Sequence, residues 1–475
     1  MTAASACTTK PVPAAATSTA TTCALDDPGG AVQAGELGRS VLLASRLALR
    51  TPLADLEAEH PALAHRLSRV RAALNAPDPP AMATPDDGQD IDHVDRRRRL
   101  WAEHDAVLTE IRRLPGLDRF LLPPTWNELR PAATGGAVVL LNAGLQRCDG
   151  IVVTADGPPL LVPLPDLRLA DAEAWAAELT DATHDSGSFT GELRRQRVLT
   201  ELLGRLWDTA VEPVLDAVEQ RLRPDDGVLP RVWWMPTGPL GLLPLHAAGH
   251  PARTGALDRV VSSYTPTLRT LARAQGRPAA TALRRLTVAL DRTPGLPDLP
   301  ATTAEAASLH AADPGMPLLT NEQATAARVT GALPQASWAH FACHAGTNPD
   351  APSEGGLHLH DGVLSIAEIG RRNLDEAELA YLSACSTRHV GRRHADESIH
   401  LASAFQLAGF RHVVASFWPL DDRVAADAAD HFYRLMPNTP AADDTAIALH
   451  RVIRHLRAEH PGRPHLWASL VHSGP

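Results

Sequence analysis

The chain has 475 residues, 44% hydrophobic and 21% charged, which is room for two or three domains in an ordinary globular composition. Its formal net charge of −10 weighs against a general binder of the nucleic-acid backbone, which needs a basic face. Cys7, Cys23, Cys148, Cys343 and Cys385 are too few and too irregularly spaced for a disulfide framework or a zinc site. With no apolar run of membrane-spanning length, the expectation is a cytoplasmic protein without membrane association.

Residues 1–32, rich in Ala, Thr, Ser and Pro, read as a disordered tail. Helical spacing of apolar residues comes next, in "AGELGRSVLLASRLALR" and "PLADLEAEHPALAHRLSRVRAALN". After the Pro- and Asp-rich break at 76–90, Leu100, Val107, Ile111 and Leu114 share one face of a third helix. The run Arg96 to Arg99 on that helix reads as a solvated face rather than a nucleic-acid contact. Residues 33–113 therefore form an α-helical region.

The texture changes at "GGAVVLLNAG", "GIVVTADGPP" and "LLVPL", short apolar runs separated by turn residues that predict hairpin-linked strands. A long amphipathic helix over 192–223 succeeds them, kinked at Pro213. Beyond residue 230, "RVWWMP", "RLTVALD", "SWAHFAC", "ELAYLSA" and "RHVVASFW" predict strands, with helical stretches near 301–312, 323–333, 398–408 and 423–436. That alternation predicts an α/β fold with a mostly parallel sheet flanked by helices. In such sheets the functional crevice lies beyond the carboxyl ends of the strands.

Two strand ends carry reactive side chains. "HFACHAGTN" presents His344 and "AYLSACSTR" presents Cys385. If the two strands pair in parallel, both side chains reach one edge, where an imidazole would take the thiol proton or lower the thiol pKa from about 8.5. The small residues after Cys385 suit a tight turn whose N–H groups would face an oxyanion. A cysteine after an apolar strand is also what a small buried hydrophobe looks like, and a lone histidine at a strand end is often a satisfied loop residue. Cys343 falls on the opposite strand face from His344. His340 and His344 have the spacing of a helical metal pair but lie on a strand, and His358 and His360 lack a third ligand. No metal site or other cofactor is expected.

Residues 230–475 resemble a CHAT domain, a bacterial branch of the caspase- and separase-like cysteine peptidases. The ordered motifs are "MPTGPLGLLPLHAA", "SSYTPTLRTL", "LPDLPATTAEAASL", "WAHFACHAG", "LHLHDGVLSIAEI", "AYLSACSTRHVGRRHADESIHLASAFQLAGFRHVVASFWPLDD" and "HLWASLVHSG". Residues 114–229, from "LPGLDRFLLPPTWNELRPAATGGAVVLLN" onward, resemble the non-catalytic pseudo-half that precedes the peptidase unit in the wider group. The resemblance implies a caspase-like sheet, His344 as catalytic histidine and Cys385 as nucleophile. Many relatives place glycine directly after the histidine, where its N–H binds the oxyanion. Here Ala345 comes first and Gly346 second, so Ala345, Gly346 and Cys385 are the candidate N–H donors. "FWPLDD" resembles the separase segment whose acidic residue lines the P1 pocket. Aligning on Trp418 puts Asp422 there with Asp421 beside it, favouring a basic P1 residue. Both aspartates are equally well placed to cap the helix from about 423.

By this resemblance the chain is expected to be a regulated cysteine endopeptidase that cuts a protein partner, answers to a regulatory protein or ligand, and has a place in bacterial defence or signalling. The rivals are a catalytically silent peptidase-like interaction module and an acyltransferase using the same dyad.

Overall fold

The structure is a computed structural model that describes residues 27–38, 54–75, 87–122, 124–184, 189–223, 227–312, 315–346, 355–384 and 401–475. The chain divides into two compact units, residues 42–124 and the remainder.

In the larger unit helix α1 spans Pro28–Gly38, so residues 28–32 of the expected tail are helical, while residues 1–26 lie outside the described residues. Asp27 Oδ1 accepts the Gly30 N–H at 2.8 Å and Pro28 occupies the first turn, where its missing N–H costs nothing. Ala31 and Val32 are buried against Leu129 and Leu268, and Glu36 accepts the Leu268 N–H. An Ala- and Gly-rich stretch is thus held by packing that composition does not reveal.

The smaller unit contains α2 (Ala54–Glu59), α3 (Pro61–Asn75) and α4 (Asp87–Ile111). Leu56, Leu67, Val107 and Ile111 form its centre, and Leu100 and Trp101 cover Val70 and Leu74. Outside that core, Arg66 pairs with Glu110 at 2.9 Å and Arg69 with Glu103 at 3.0 Å. Arg98 and Arg99 of the arginine run are exposed.

An eleven-stranded sheet dominates the larger unit, in the order β3-β2-β1-β4-β5-β14-β13-β12-β8-β6-β7. Its members are β1 (Gly136–Ala143), β2 (Cys148–Val153), β3 (Leu160–Pro163), β4 (Arg231–Pro236), β5 (Val261–Tyr264), β6 (Arg285–Ala289) and β7 (Leu318–Thr320). They continue with β8 (Trp338–Cys343), β12 (Leu379–Ala384), β13 (His412–Ser416) and β14 (Leu470–Ser473). The predicted antiparallel run β1-β2-β3 is present, but it does not stand apart. Strand β1 pairs in parallel with β4, Val139 opposite Trp234, and the boundary expected at residue 230 falls inside this block.

Strands β1, β4, β5 and β14 run parallel, as do β13, β12, β8, β6 and β7. The blocks run in opposite directions and meet where β13 pairs antiparallel with β14, Val414 opposite His472. Near-continuous burial of β1, β4, β8 and β13 is what a sheet covered on both faces demands.

Helices α5 (Leu169–His184), α6 (Phe189–Leu206) and α7 (Glu212–Leu222) cover the first block. The kink expected at Pro213 is a π turn over Trp207–Val211, closed by the Glu212 N–H donating to the Trp207 carbonyl. Proline cannot supply the next helical N–H, and one wider turn absorbs the mismatch without breaking the rod. Over the second block lie α8 (Ala301–Ala312) and α9 (Asp422–Leu435), and α10 (Thr445–Glu459) packs near the junction. A small antiparallel sheet, β9 (Ala345–Gly346), β10 (Gly356–Leu359) and β11 (Gly362–Ser365), extends from the end of β8.

Candidate active site

Strands β8 and β12 are parallel neighbours in register, Ser383 opposite Ala342 and Ala384 opposite Cys343. Both end at the same level of the sheet. The next residue along β8 is His344. The next along β12 is Cys385, which lies with residues 386–400 outside the described residues. Alternation on β8 is clear from its contacts: Phe341 packs on Phe405 on one face, and Ala342 packs with Ala306 of α8 on the other. His340, Ala342 and His344 therefore share the α8 face, while Cys343 is buried in the core opposite.

His344 is half-buried, and its Nε2 lies 2.7 Å from the Pro297 carbonyl. A carbonyl only accepts, so Nε2 carries a proton, and in the neutral ring Nδ1 is the nitrogen with the free lone pair. Pro297 sits in a braced loop. Leu299 N donates to the Asp291 carbonyl at 2.9 Å, and Asn321 Oδ1 accepts from Asp291 N at 3.1 Å and Arg292 N at 3.3 Å.

The small sheet separates the candidate oxyanion donors. His358 N donates to the His344 carbonyl at 2.9 Å, and Ala345 faces Leu357 while Gly346 faces Gly356. Antiparallel alternation then gives Gly346 a hydrogen-bonded position in the ladder and leaves the Ala345 N–H directed away from β10. The third candidate, the Cys385 N–H, lies outside the described residues. Gly346 has its own constraint, because a Cβ there would lie 2.5 Å from His358 Nε2. Burial, and next the neighbouring His344, hold the His358 imidazole below the ordinary histidine range.

The two aspartates have different partners. Asp421 Oδ1 caps α9, accepting from Arg423 N at 3.1 Å and Val424 N at 3.4 Å, and it does not line the adjoining cavity. Asp422 does. That cavity opens beyond the ends of β12 and β13, with walls from Leu299, Leu420, Leu470, Tyr381 and Ala425, and hydroxyls from Thr302, Ser383 and Ser416. Among the described residues, Asp422 is its one charged lining group. Asp422 Oδ2 also accepts the Ala301 N–H at 2.7 Å, tying the starts of α8 and α9 together. Pro297 and His358 carry no residue-type signal for this site, Pro297 because it presents a backbone carbonyl, and only the ladder distinguishes the Ala345 N–H from that of Gly346.

The CHAT domain family matches residues 200–475, more than half of the sequence. The chain belongs to the CHAT domain family. Among curated proteins nothing matches. Among solved structures, a chain of the Saccharomyces cerevisiae separase–securin complex matches with TM-score 0.53 at 11% identity, over 94% of this CHAT protein and 36% of that chain. A second structure of the same complex gives TM-score 0.53 at 11% identity over 95% and 35%. The complex of Porphyromonas gingivalis RgpB pro- and mature domains gives TM-score 0.38 at 12% identity over 56% and 69%. The CHAT protein thus spans about a third of the separase-complex chains it matches, and it shares with them a caspase-like fold. Among the described residues, no group of three His, Cys, Asp or Glu is arranged to hold a metal, and no helix is long and apolar enough to cross a membrane.

Proposed function

We propose that this CHAT protein is a cysteine endopeptidase that cleaves a protein chain after a basic residue. The observation that carries the reading is the paired ending of β8 and β12, Ala384 opposite Cys343, with His344 held as an Nε2-protonated imidazole by Pro297. His344 Nδ1 takes the Cys385 thiol proton, and the sulfur forms a bond to the substrate carbonyl carbon. The Ala345 and Cys385 N–H groups receive the resulting oxyanion. As the C–N bond breaks, the leaving amine takes the proton from His344 Nδ1 and a thioester remains. Water, deprotonated by His344, then attacks the thioester, releasing the carboxylate and restoring the thiol.

Asp422, the charged group of an otherwise apolar and hydroxyl-lined cavity, supports a basic P1 side chain. The separase matches come from complexes with a second protein, securin, which supports a protein partner for the CHAT protein.

The test is intact mass after exposure to peptidyl-arginine and peptidyl-lysine acyloxymethyl ketones, beside Cys385→Ala and His344→Ala. Single labelling of the wild type that both substitutions abolish is expected. Labelling that survives Cys385→Ala, or that His344→Ala leaves at the wild-type rate, would sink the dyad.

A further inference from the structure

Below the strand ends lies a buried polar cluster that the reaction does not use. His340, on the same strand and face as His344, has its Nε2 3.0 Å from Glu305 Oε1 of α8, and both side chains are almost fully buried. The two polar atoms meet without hydrogen-bond alignment. His340 Nδ1 lies 3.2 Å from the Tyr433 hydroxyl of α9, and the ring stacks on Tyr381 of β12 with centroids 5.1 Å apart. His340 and Tyr381 are register partners, each four residues before a member of the dyad. The Tyr381 hydroxyl is buried with no hydrogen-bond partner among the described residues, and burial, then Glu305, raises its pKa.

These contacts close a circuit. From His344 it passes to the Pro297 carbonyl, along the braced loop to Ala301, held by Asp422, and one turn on to Glu305. Glu305 returns it to His340, four residues before its origin. Ala306 packs on Ala289 and Ala342, so small side chains let α8 approach the sheet closely beside Glu305. Burying two ionisable groups is costly, and a well-packed apolar pair is often as stable or more so. What an apolar pair lacks is a fixed polar point that sets the height of α8 along β8.

We propose that Glu305 and His340 are positioning residues, whose buried contact, joined by Tyr433, holds α8 against β8 so that the Pro297 carbonyl stays on His344 Nε2. The proposal rests on His344 being the base. Glu305→Ala releases α8 and lets the imidazole exchange tautomers. Glu305→Gln keeps a polar contact to His340 and largely preserves the arrangement.

The experiment is nitrogen NMR on full-length, ¹⁵N-histidine-labelled protein, with the His344 signal assigned by its loss in His344→Gln. The Cys385 alkylation rate with iodoacetamide at pH 7 is measured in parallel. The wild type is expected to show the Nε2-protonated tautomer, and folded Glu305→Ala a mixture, with alkylation slowed about tenfold, one pKa unit of lost thiolate stabilisation. Glu305→Gln is expected to stay within about twofold of wild type. A mere packing role would lower the melting temperature of Glu305→Ala and leave the tautomer alone, and that result overturns the proposal. Should Glu305→Ala not fold, Tyr433→Phe removes only the hydroxyl beside His340 Nδ1 and decides the same point: a mixed tautomer supports the proposal and an unchanged one overturns it. If His344→Ala leaves alkylation unaltered, the dyad fails, while the His344 signal still judges the positioning claim by itself.

Discussion

Acidification from pH 7.5 to 5.0 is expected to weaken the larger unit by several kcal/mol, through imidazoles rather than carboxylates. His450 and His465 are almost fully buried, and their pKa values lie at about 4. Burial is the main cause for both, reinforced at His450 by Arg454 and Arg457 against Asp258, and at His465 by Arg195 and Arg463 against Glu192.

In the unfolded chain each imidazole titrates near 6.5, so between about 4 and 6.5 the unfolded state binds more protons and stability falls as pH falls. At pH 5 each group costs about 2 kcal/mol relative to pH 7.5, and the two together about 4 kcal/mol. The stability is fully present above about pH 7.

His412 and His472, buried where the two strand blocks meet, add to the loss in the same direction. The Arg231 guanidinium donates to Ser263 Oγ at 2.9 Å, and Ser263 Oγ lies 2.7 Å from His472 Nδ1. His472 Nε2 lies 3.1 Å from His412 Nδ1, and His412 Nε2 lies 3.6 Å from Asp443 Oδ1. The Asp443 carboxylate only accepts, so the one proton of neutral His412 sits on Nε2; His472 Nε2–H then donates to His412 Nδ1 and the Ser263 O–H to His472 Nδ1. A second proton on His412 would set two donors face to face. Burial lowers the pKa of both rings.

The assay is guanidinium unfolding of the wild type and His450→Leu at pH 7.5 and 5.0, followed by tryptophan fluorescence. His450→Leu should narrow the difference between the two pH values by about 2 kcal/mol, because one proton-linked site is gone. Equal wild-type stability at both pH values would refute the reasoning.

Asp421→Ala should cost about 1 kcal/mol in thermal or chemical unfolding through the lost α9 cap, with P1 preference intact. Asp422→Asn keeps an acceptor for Ala301 N but removes the charge. It should slow labelling by basic electrophiles tenfold or more, about 1.4 kcal/mol, at nearly unchanged melting temperature. Gly346→Ala drives a methyl into the His358 ring, so Cys385 labelling should fall about tenfold, and His358→Ala in the same chain should restore much of it. Gly409→Ala combines φ +132° with a Cβ 2.3 Å from the Leu374 carbonyl, and should destabilise by about 2 kcal/mol or more in a thermal melt without altering labelling in the folded fraction.

The dominant strands were legible because each is a short apolar run bounded by turn residues, and β4, β6, β8, β12 and β13 coincide with such runs. Strands β7 and β9, at three and two residues, are too short to carry a periodic signal. Composition could not mark Pro28–Val32 as helical, since what holds that segment is apolar packing from residues more than ninety positions away. In the site, His344 stood out as a polar side chain ending an apolar strand. Its orienting partner did not, because a backbone carbonyl has no residue-type signature. The roles of Asp421 and Asp422 stayed ambiguous because one dipeptide serves two helices: each carboxylate caps a different N-terminus, and only Asp422 also faces the cavity. His340, spaced from His344 like a metal ligand, instead faces Glu305, a partner on a helix that local spacing does not reach.

Strand β14 has a consequence for how the chain comes together. It is the joint between the two opposed blocks, beside β5 on one side and β13 on the other, yet it is made from residues 470–473. During synthesis both blocks emerge well before it does, so each waits with one open edge, β5 or β13, able to pair with any passing strand. The block that carries His344 therefore matures beside a neighbour to which it is not yet joined. Clipping the chain just after Leu466 would leave two open sheets, and aggregation rather than simple loss of activity would be the first symptom.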